Sequence, residues 1–215
     1  MIYSDRTQAG RELAEALRDH AGGDAVRLLA LPRGGVPVAA EIANALKLPL
    51  DILLVRKLGI PGHAEYAMGA IAEGRSCYLD RALIGELGVS SEQLEAVLQR
   101  EQAELQRRGQ LYRGGDAAPD LQGASAILVD GGLATGATMR AAIEAVRAGG
   151  AQQVVVAVPV GAAETCRELE RQVDRLVCPH RLERLRGVGL WYADFHQVSE
   201  EEVITLLQRY RREQP

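Results

Sequence analysis

Residues 124 to 158 constrain the fold more tightly than any other stretch of the chain. Ala124 to Val129 is an apolar run of strand length. Ala137 to Ala148 carries its apolar positions at helical spacing and stops at Gly149-Gly150, and Gln153 to Val158 is again a strand. A strand, a helix and a second strand joined by short links form a crossover unit, which forces the two strands to run parallel. The pattern recurs at Val26 to Leu31, Val36 to Leu46 and Leu50 to Val55, where Pro37 is tolerated in a first helical turn. It continues in Ala162 to Gln172 and Val173 to Cys178. The expected fold is therefore α/β, a single domain over residues 1–215 with an open, mostly parallel sheet flanked by helices. Helices at Thr7 to His20 and Glu200 to Arg212 complete it, the latter with Val203, Leu206, Leu207 and Tyr210 facing inward.

The stretch from about residue 59 to 123 departs from this alternation. Arg56 to Tyr78 is punctuated by Gly59, Pro61, Gly62, Gly69 and Gly74, and only Ala67 to Ala72 is apolar enough to predict a strand. Ser90 to Arg108 reads as a polar helix with a thin stripe of Leu94, Val97, Leu98, Glu101 and Leu105; Ser90 followed by Gln93 is a capping-box signal. Arg113 to Gly123 reads as an exposed linker.

Composition narrows the function classes. With 215 residues the chain can bury one substantial core, and a net charge of -4 without a basic stretch argues against nucleic-acid binding. No apolar run is long enough to span a membrane, so a membrane partner is not expected. Cys77, Cys166 and Cys178 are odd in number and lack metal-ligand spacing, which suits a reducing cytoplasm and gives no protein metal site.

Between the first strand and helix described above lies the chemistry. Asp130 stands at the strand end, followed by the turn Gly131-Gly132-Leu133-Ala134-Thr135-Gly136 and the helix start Ala137-Thr138. Ligands of open α/β sheets sit beyond the carboxyl ends of the strands, and a helix N-terminus offers unpaired N–H donors and partial positive charge. Thr135 and Thr138 add hydroxyl donors, while Gly132 and Gly136 permit close backbone approach. The turn is suited to a phosphate; a merely capped helix after a tight turn is the alternative. No lysine follows Gly136 and GxGxxG is absent, which sets aside two familiar glycine loops.

The segment resembles the phosphoribosyl diphosphate signature of the type I phosphoribosyltransferases. The chain as a whole is similar to a bacterial branch of that family in Leu31-Pro32-Arg33-Gly34-Gly35, Val55-Arg56-Lys57-Leu58-Gly59, the run Val129 to Ala142, Ala157-Val158-Pro159-Val160 and Trp191-Tyr192-Ala193-Asp194-Phe195. The resemblance implies transfer of ribose 5-phosphate to a nitrogenous base, purine ahead of pyrimidine, with pyrophosphate leaving together with Mg²⁺. It places the 5-phosphate on Ala134 to Thr138, a ribose hydroxyl on Asp130, and pyrophosphate on Arg33, Gly34 and Gly35. Those three also follow a strand end and precede a helix start, although a plain surface turn would read the same way. Arg56 and Lys57 are expected to end the second strand and face the same edge; they could equally solvate it. Lys57 is one of only two lysines.

His63, Glu65 and Tyr66 fall where the family has an element that closes over the reaction, with an incidental exposed histidine as the alternative for His63. The resemblance further implies a small hood at about residues 179–198. There Trp191 either stacks the base or belongs to the core, and Asp194 could accept from a ring N–H. The implied partners are phosphoribosyl diphosphate and a nucleobase or nucleotide, with a homodimer as one assembly to test.

One position departs from the family pattern. Where the signature has two adjacent acids, this chain has Asp130 and then Gly131. A carboxylate holding a ribose hydroxyl is a charge-assisted hydrogen bond worth roughly 1.5–3 kcal/mol. Its loss leaves three explanations: an enzyme with a compensating group, an enzyme whose acceptor or sugar differs, and a non-catalytic sensor of phosphoribosyl diphosphate or a nucleotide. A hydrolase of related substrates using His63 or Glu65 is a further function class.

Overall fold

The structure, a computed structural model, describes residues 2–21, 23, 25–73, 77–114 and 116–212, without the side chains at 64–66, 211 and 212. Helix α1 (Arg6–Ala16) is capped by the Asp5 carboxylate, which accepts from the Gln8 N–H. Strand β1 (Val26–Ala30), helix α2 (Gly35–Leu46) and strand β2 (Leu50–Ile52) then form the first crossover, with β1 and β2 parallel. After the excursion come β6 (Ser125–Val129), α5 (Ala137–Ala148), β7 (Gln153–Ala157), β8 (Val160–Ala162), α6 (Ala163–Glu170), β9 (Arg175–Val177), β10 (His180–Leu182) and α7 (Glu200–Arg212).

The main sheet has five parallel strands in the order β2-β1-β6-β7-β9. Its strands are buried on both faces, which is why they read as continuous apolar runs. One face packs with α1, α2 and α7 around Leu13, Ile42 and Leu207, and the other with α5 and α6 around Met139, Val146 and Leu169. The helices that follow β1 and β6 therefore leave to opposite faces. The strand order reverses between these two neighbours, and a crevice opens at their carboxyl ends.

Strand β2 is shorter than expected. It ends at Ile52, and Val55 begins β3 (Val55–Ile60), the first strand of a separate antiparallel sheet with β4 (His63–Ala72) and β5 (Cys77–Leu79). The glycines that suggested irregular chain serve a meander instead. Gly62 takes φ +83 at the hairpin, and a side chain on Gly69 would strike the Tyr78 carbonyl at 2.3 Å. Glu65 and Tyr66 carry side chains outside the described residues. A short helix α3 (Arg81–Glu86) follows, and then α4 (Ser91–Arg113), which carries the expected capping box and runs five residues beyond Arg108. Arg113 is not linker. It is buried at the end of α4, where it pairs with Glu73 and Asp51 and donates to the Ile52 carbonyl. Strands β8 and β10 and helix α3 lack the length or periodicity that would have made them visible in sequence.

Candidate active site

The turns after β1 and β6 meet at the sheet crevice, and glycine is what lets them. A Cβ on Gly35 would lie 2.5 Å from the Val129 carbonyl oxygen and 3.0 Å from the Asp130 Cα. The Leu31 N–H continues the strand pairing to the Val129 carbonyl at 2.8 Å, and the Pro32–Arg33 peptide that follows is cis. The backbone of Gly34 and Gly35 is thus set against Val129 to Gly131, while Arg33 is not among the residues lining the cavity that Asp130 faces.

The turn after β6 is tied back through its carbonyls. Thr165 Oγ1 donates to the Ala134 carbonyl at 2.8 Å, and Arg140 Nη1 donates to the Thr135 carbonyl at 2.8 Å while pairing with Glu168. Leu133 bridges to β8 through the Val160 carbonyl and the Ala162 N–H, both at 2.8 Å. Gly136 has φ +79, and a Cβ there would collide with Arg140 and Thr165 at 2.7 Å. With the carbonyls held inward, the amides from Ala134 to Thr138 make no hydrogen bond outside the helix among the described residues. The Thr135 and Thr138 hydroxyls are likewise without partners there. That arrangement is a ready anion cradle at a helix start. Arg140 and Thr165, which organise it, escaped sequence reasoning because nothing local marks a side chain that bonds a distant carbonyl.

Asp130 sits between the two turns. Its Oδ1 accepts the Gly131 N–H at 2.7 Å. Burial raises the carboxyl to about 6, against the opposing pull of the Gly131 N–H, Lys57 and Arg6. Asp130 shares a cavity of about 410 Å³ with Thr138, Pro32 and Lys57, and with Arg100 and Arg108 from α4.

Arg56 and Lys57 do not end β2; they lie within β3. Arg56 is taken up by Glu101, with its Nε and Nη2 at 2.9 and 2.6 Å from Oε2, and Arg100 Nε lies 3.0 Å from the other oxygen. The sequence placed Glu101 on an apolar stripe; its burial is explained by these two partners. Lys57 is exposed at the cavity rim. His63 opens β4 and does not line this cavity.

The C-terminal segment covers the crevice. Tyr3 and Tyr192 form a parallel backbone bridge, and the Tyr192 hydroxyl donates to the Gly131 carbonyl at 2.6 Å. Gly132 is closed over by Val188, which a Cβ would meet at 2.4 Å. Phe195 packs 4.9 Å from Tyr192, and the Arg6 guanidinium lies 3.9 Å over the Phe195 ring. Arg6 is buried beside Gly34 and donates to the His196 carbonyl at 3.0 Å, and burial lowers its pKa. A lone arginine opening a helix gave no sign of this.

Two expected site residues are not brought to Asp130. Trp191 packs with Tyr3, Ala9, Val160 and Tyr192, its Nε1 buried without a partner. Asp194 pairs with His196 at 3.1 Å and lines a different hollow of about 560 Å³ with Glu202 and Pro37. The core reading of Trp191 is the one the packing supports.

At Gly131 the structure leaves space. A Cβ would lie 3.4 Å from the Gly34 carbonyl and 3.9 Å from Phe195, both ordinary contacts, and φ lies outside the left-handed region. The backbone here accepts a Cβ without a clash.

Among the described residues no helix is long and apolar enough to cross a membrane. The chain is 41% identical over 99% of its length to a Mycobacterium tuberculosis protein named provisionally as a phosphoribosyl transferase, of which it spans about half, 48%. It is similar to the structure of TT1426 from Thermus thermophilus, with 38% identity, a TM-score of 0.81, and coverage of 98% of this chain and 99% of that one. A purine phosphoribosyltransferase from Pyrococcus horikoshii shares the fold alone, at 17% identity and TM-score 0.51, covering 93% and 96% of the two chains. Residues 2–183 match the model of the phosphoribosyl transferase domain, and the chain belongs to that family.

Proposed function

We propose that the protein transfers the 5-phosphoribosyl group of phosphoribosyl diphosphate to a ring nitrogen of a base and releases pyrophosphate. One observation carries this reading: the amide-and-threonine cradle and the Arg33 turn converge on one carboxylate, Asp130. In the reaction the bond from C1 of the sugar to the diphosphate oxygen breaks, a C1–N bond forms, and the base gives up its N–H proton. The electron-poor sugar of the transition state is stabilised by nearby negative charge. Asp130, ionised above pH about 6, supplies that charge and holds a ribose hydroxyl. The amides of Ala134 to Thr138 and the two threonines anchor the 5-phosphate, and Arg33 with the amides of Gly34 and Gly35 receives the diphosphate.

Mg²⁺ fits this donor set. Asp130 Oδ2 accepts no hydrogen bond among the described residues, and an ion held by one carboxylate and by substrate oxygens is the usual pattern for Mg²⁺ on phosphates. When bound, the ion neutralises the departing pyrophosphate.

Calorimetry with phosphoribosyl diphosphate and Mg²⁺ tests the binding half of the reading, and absence of heat at millimolar ligand overturns it. Pyrophosphate release is then screened over bases, purines first, for the native chain and Gly131→Asp. Restoring the acid is expected to raise turnover about 10- to 100-fold. A second reading, a non-catalytic sensor of phosphoribosyl diphosphate or a nucleotide, draws on Gly131, where the backbone accepts a Cβ and no acid is present. It predicts tight binding with no pyrophosphate release from the native chain on any base.

A further inference from the structure

Helix α4 belongs to no part of the sheet, yet one side of it faces the same cavity as Asp130. Along that side stand Val97, Glu101, Leu105, Arg108 and Tyr112, three or four residues apart. Packing alone would favour an apolar residue at 108. Instead an arginine with only 19% of its side chain exposed reaches the cavity, held by one bond from its Nε to Glu104 Oε1 at 2.7 Å. Its two terminal nitrogens have no hydrogen-bond partner among the described residues. The other arginines lining the cavity are engaged, since Glu101 takes both Arg56 and Arg100. One turn beyond Arg108, the hydroxyl of Tyr112 is buried with no partner among the described residues, in a residue 3% exposed. Burial raises the pKa of that hydroxyl, with Arg108, Glu200, Arg33 and Arg107 in its electrostatic surroundings.

We propose that α4 is a wall of the substrate site and that Arg108, with its terminal nitrogens, binds the diphosphate of the substrate together with Lys57, which lines the same cavity. A planar guanidinium with free donors suits a multiply charged, oxygen-rich anion, and its fixed seat on a helix means that little ordering is needed on binding. This inference rests on the reading of the site as a phosphoribosyl diphosphate site. It adds a ligand-binding residue from a segment that the sequence offered only as a polar helix. The competing role is structural: Arg108 as the partner of Glu104 four residues earlier and nothing more.

Calorimetry on the full chain separates the two, with Mg²⁺-pyrophosphate and ribose 5-phosphate as probes. Arg108→Gln is expected to weaken pyrophosphate binding about 10- to 100-fold, the worth of a charge-assisted hydrogen bond, and to leave ribose 5-phosphate within about twofold. Arg108→Lys should recover part of the loss. Glu104→Gln, which breaks the same ion pair but keeps the guanidinium, should leave both probes within about twofold. Unchanged pyrophosphate affinity in Arg108→Gln overturns the proposal, as do equal losses for both probes or a Glu104→Gln variant that matches Arg108→Gln. If the native chain binds ribose 5-phosphate but not pyrophosphate, this inference falls while the 5-phosphate cradle stands. If it binds neither, the reading of the whole site falls with it.

Discussion

The turn after β6 and the wall formed by β3 and α4 flank the same cavity and are built in opposite ways. The turn is local. Within nine residues an acid, two threonines and a glycine at φ +79 make a cradle, and the tertiary structure only steadies it through Arg140 and Thr165. The wall is assembled from segments 45 residues apart that meet through Glu101 and Arg56. A backbone cradle presents dipoles that are already oriented, whereas a wall of ion pairs depends on long side chains held by buried charge. Ligand groups that must be held rigidly fit the first construction. The proposed site for the departing pyrophosphate is of the second kind.

The sharpest way to break the relation between the two is at the junction of the turns. Gly35→Ala would force a Cβ against the Val129 carbonyl and push the Arg33 turn away from Asp130. We expect a loss of kcat/KM on the order of 100-fold or more, since displacements of about 1 Å in positioning groups cost that much. Steady-state pyrophosphate release measures it, with circular dichroism to confirm folding.

Asp130→Asn comes next. Turnover should fall about 10- to 100-fold, yet the free protein should become more stable by about 2 kcal/mol at pH 7, because a buried carboxyl raised to about 6 is charged there at a cost. The sign follows from the raised value. The cost is present above pH about 6 and fades as pH falls toward the ordinary carboxylate range, so the melting-temperature gain of the variant should vanish near pH 4. In the native enzyme kcat/KM should drop as pH falls through about 6, where Asp130 takes up a proton.

Glu101→Gln tests the wall alone. Arg56 and Arg100 lose their common carboxylate, and α4 should loosen from β3 at a cost of about 1–3 kcal/mol, a value reduced by the partial exposure of Arg56. Ribose 5-phosphate affinity should stay within about twofold; a larger fall would mean that the two regions are coupled. Thermal melting and calorimetry read the two effects separately.

The smallest effect is expected at the cover over the turn. Tyr192→Phe removes the buried bond to the Gly131 carbonyl and should cost about 1 kcal/mol, or roughly 2–4 °C in melting temperature.

How far each region was legible in the sequence follows from how it is built. The helix at Ala137–Ala148 and its Gly149 stop agree residue for residue with the pattern, because a parallel crossover writes its periodicity locally. The antiparallel meander was hidden by its glycines, which look like loop until the strand that each one approaches is known. Arg56 and Lys57 were recognised as charges near the sheet edge but assigned to the end of the wrong strand. The two residues Leu53 and Leu54, which separate β2 from β3, are as apolar as a strand and so masked the break. Trp191 was ambiguous because an aromatic ring serves a core and a stacking surface equally well; in the structure it is partly buried against the Tyr3, Val160 and Tyr192 cluster.

The sequence by itself determined the parallel α/β plan, the glycine- and threonine-bearing turn with Asp130 at its mouth, and the absence of an acid at Gly131. All of these are encoded in contiguous residues whose spacing and backbone freedom carry the information. Only the tertiary structure decided that Gly131 has room for a Cβ, that Phe195 stands over it, and that α4 brings Arg108 to the cavity. These depend on contacts between residues distant along the chain, and no local pattern records which long side chain will meet which distant backbone.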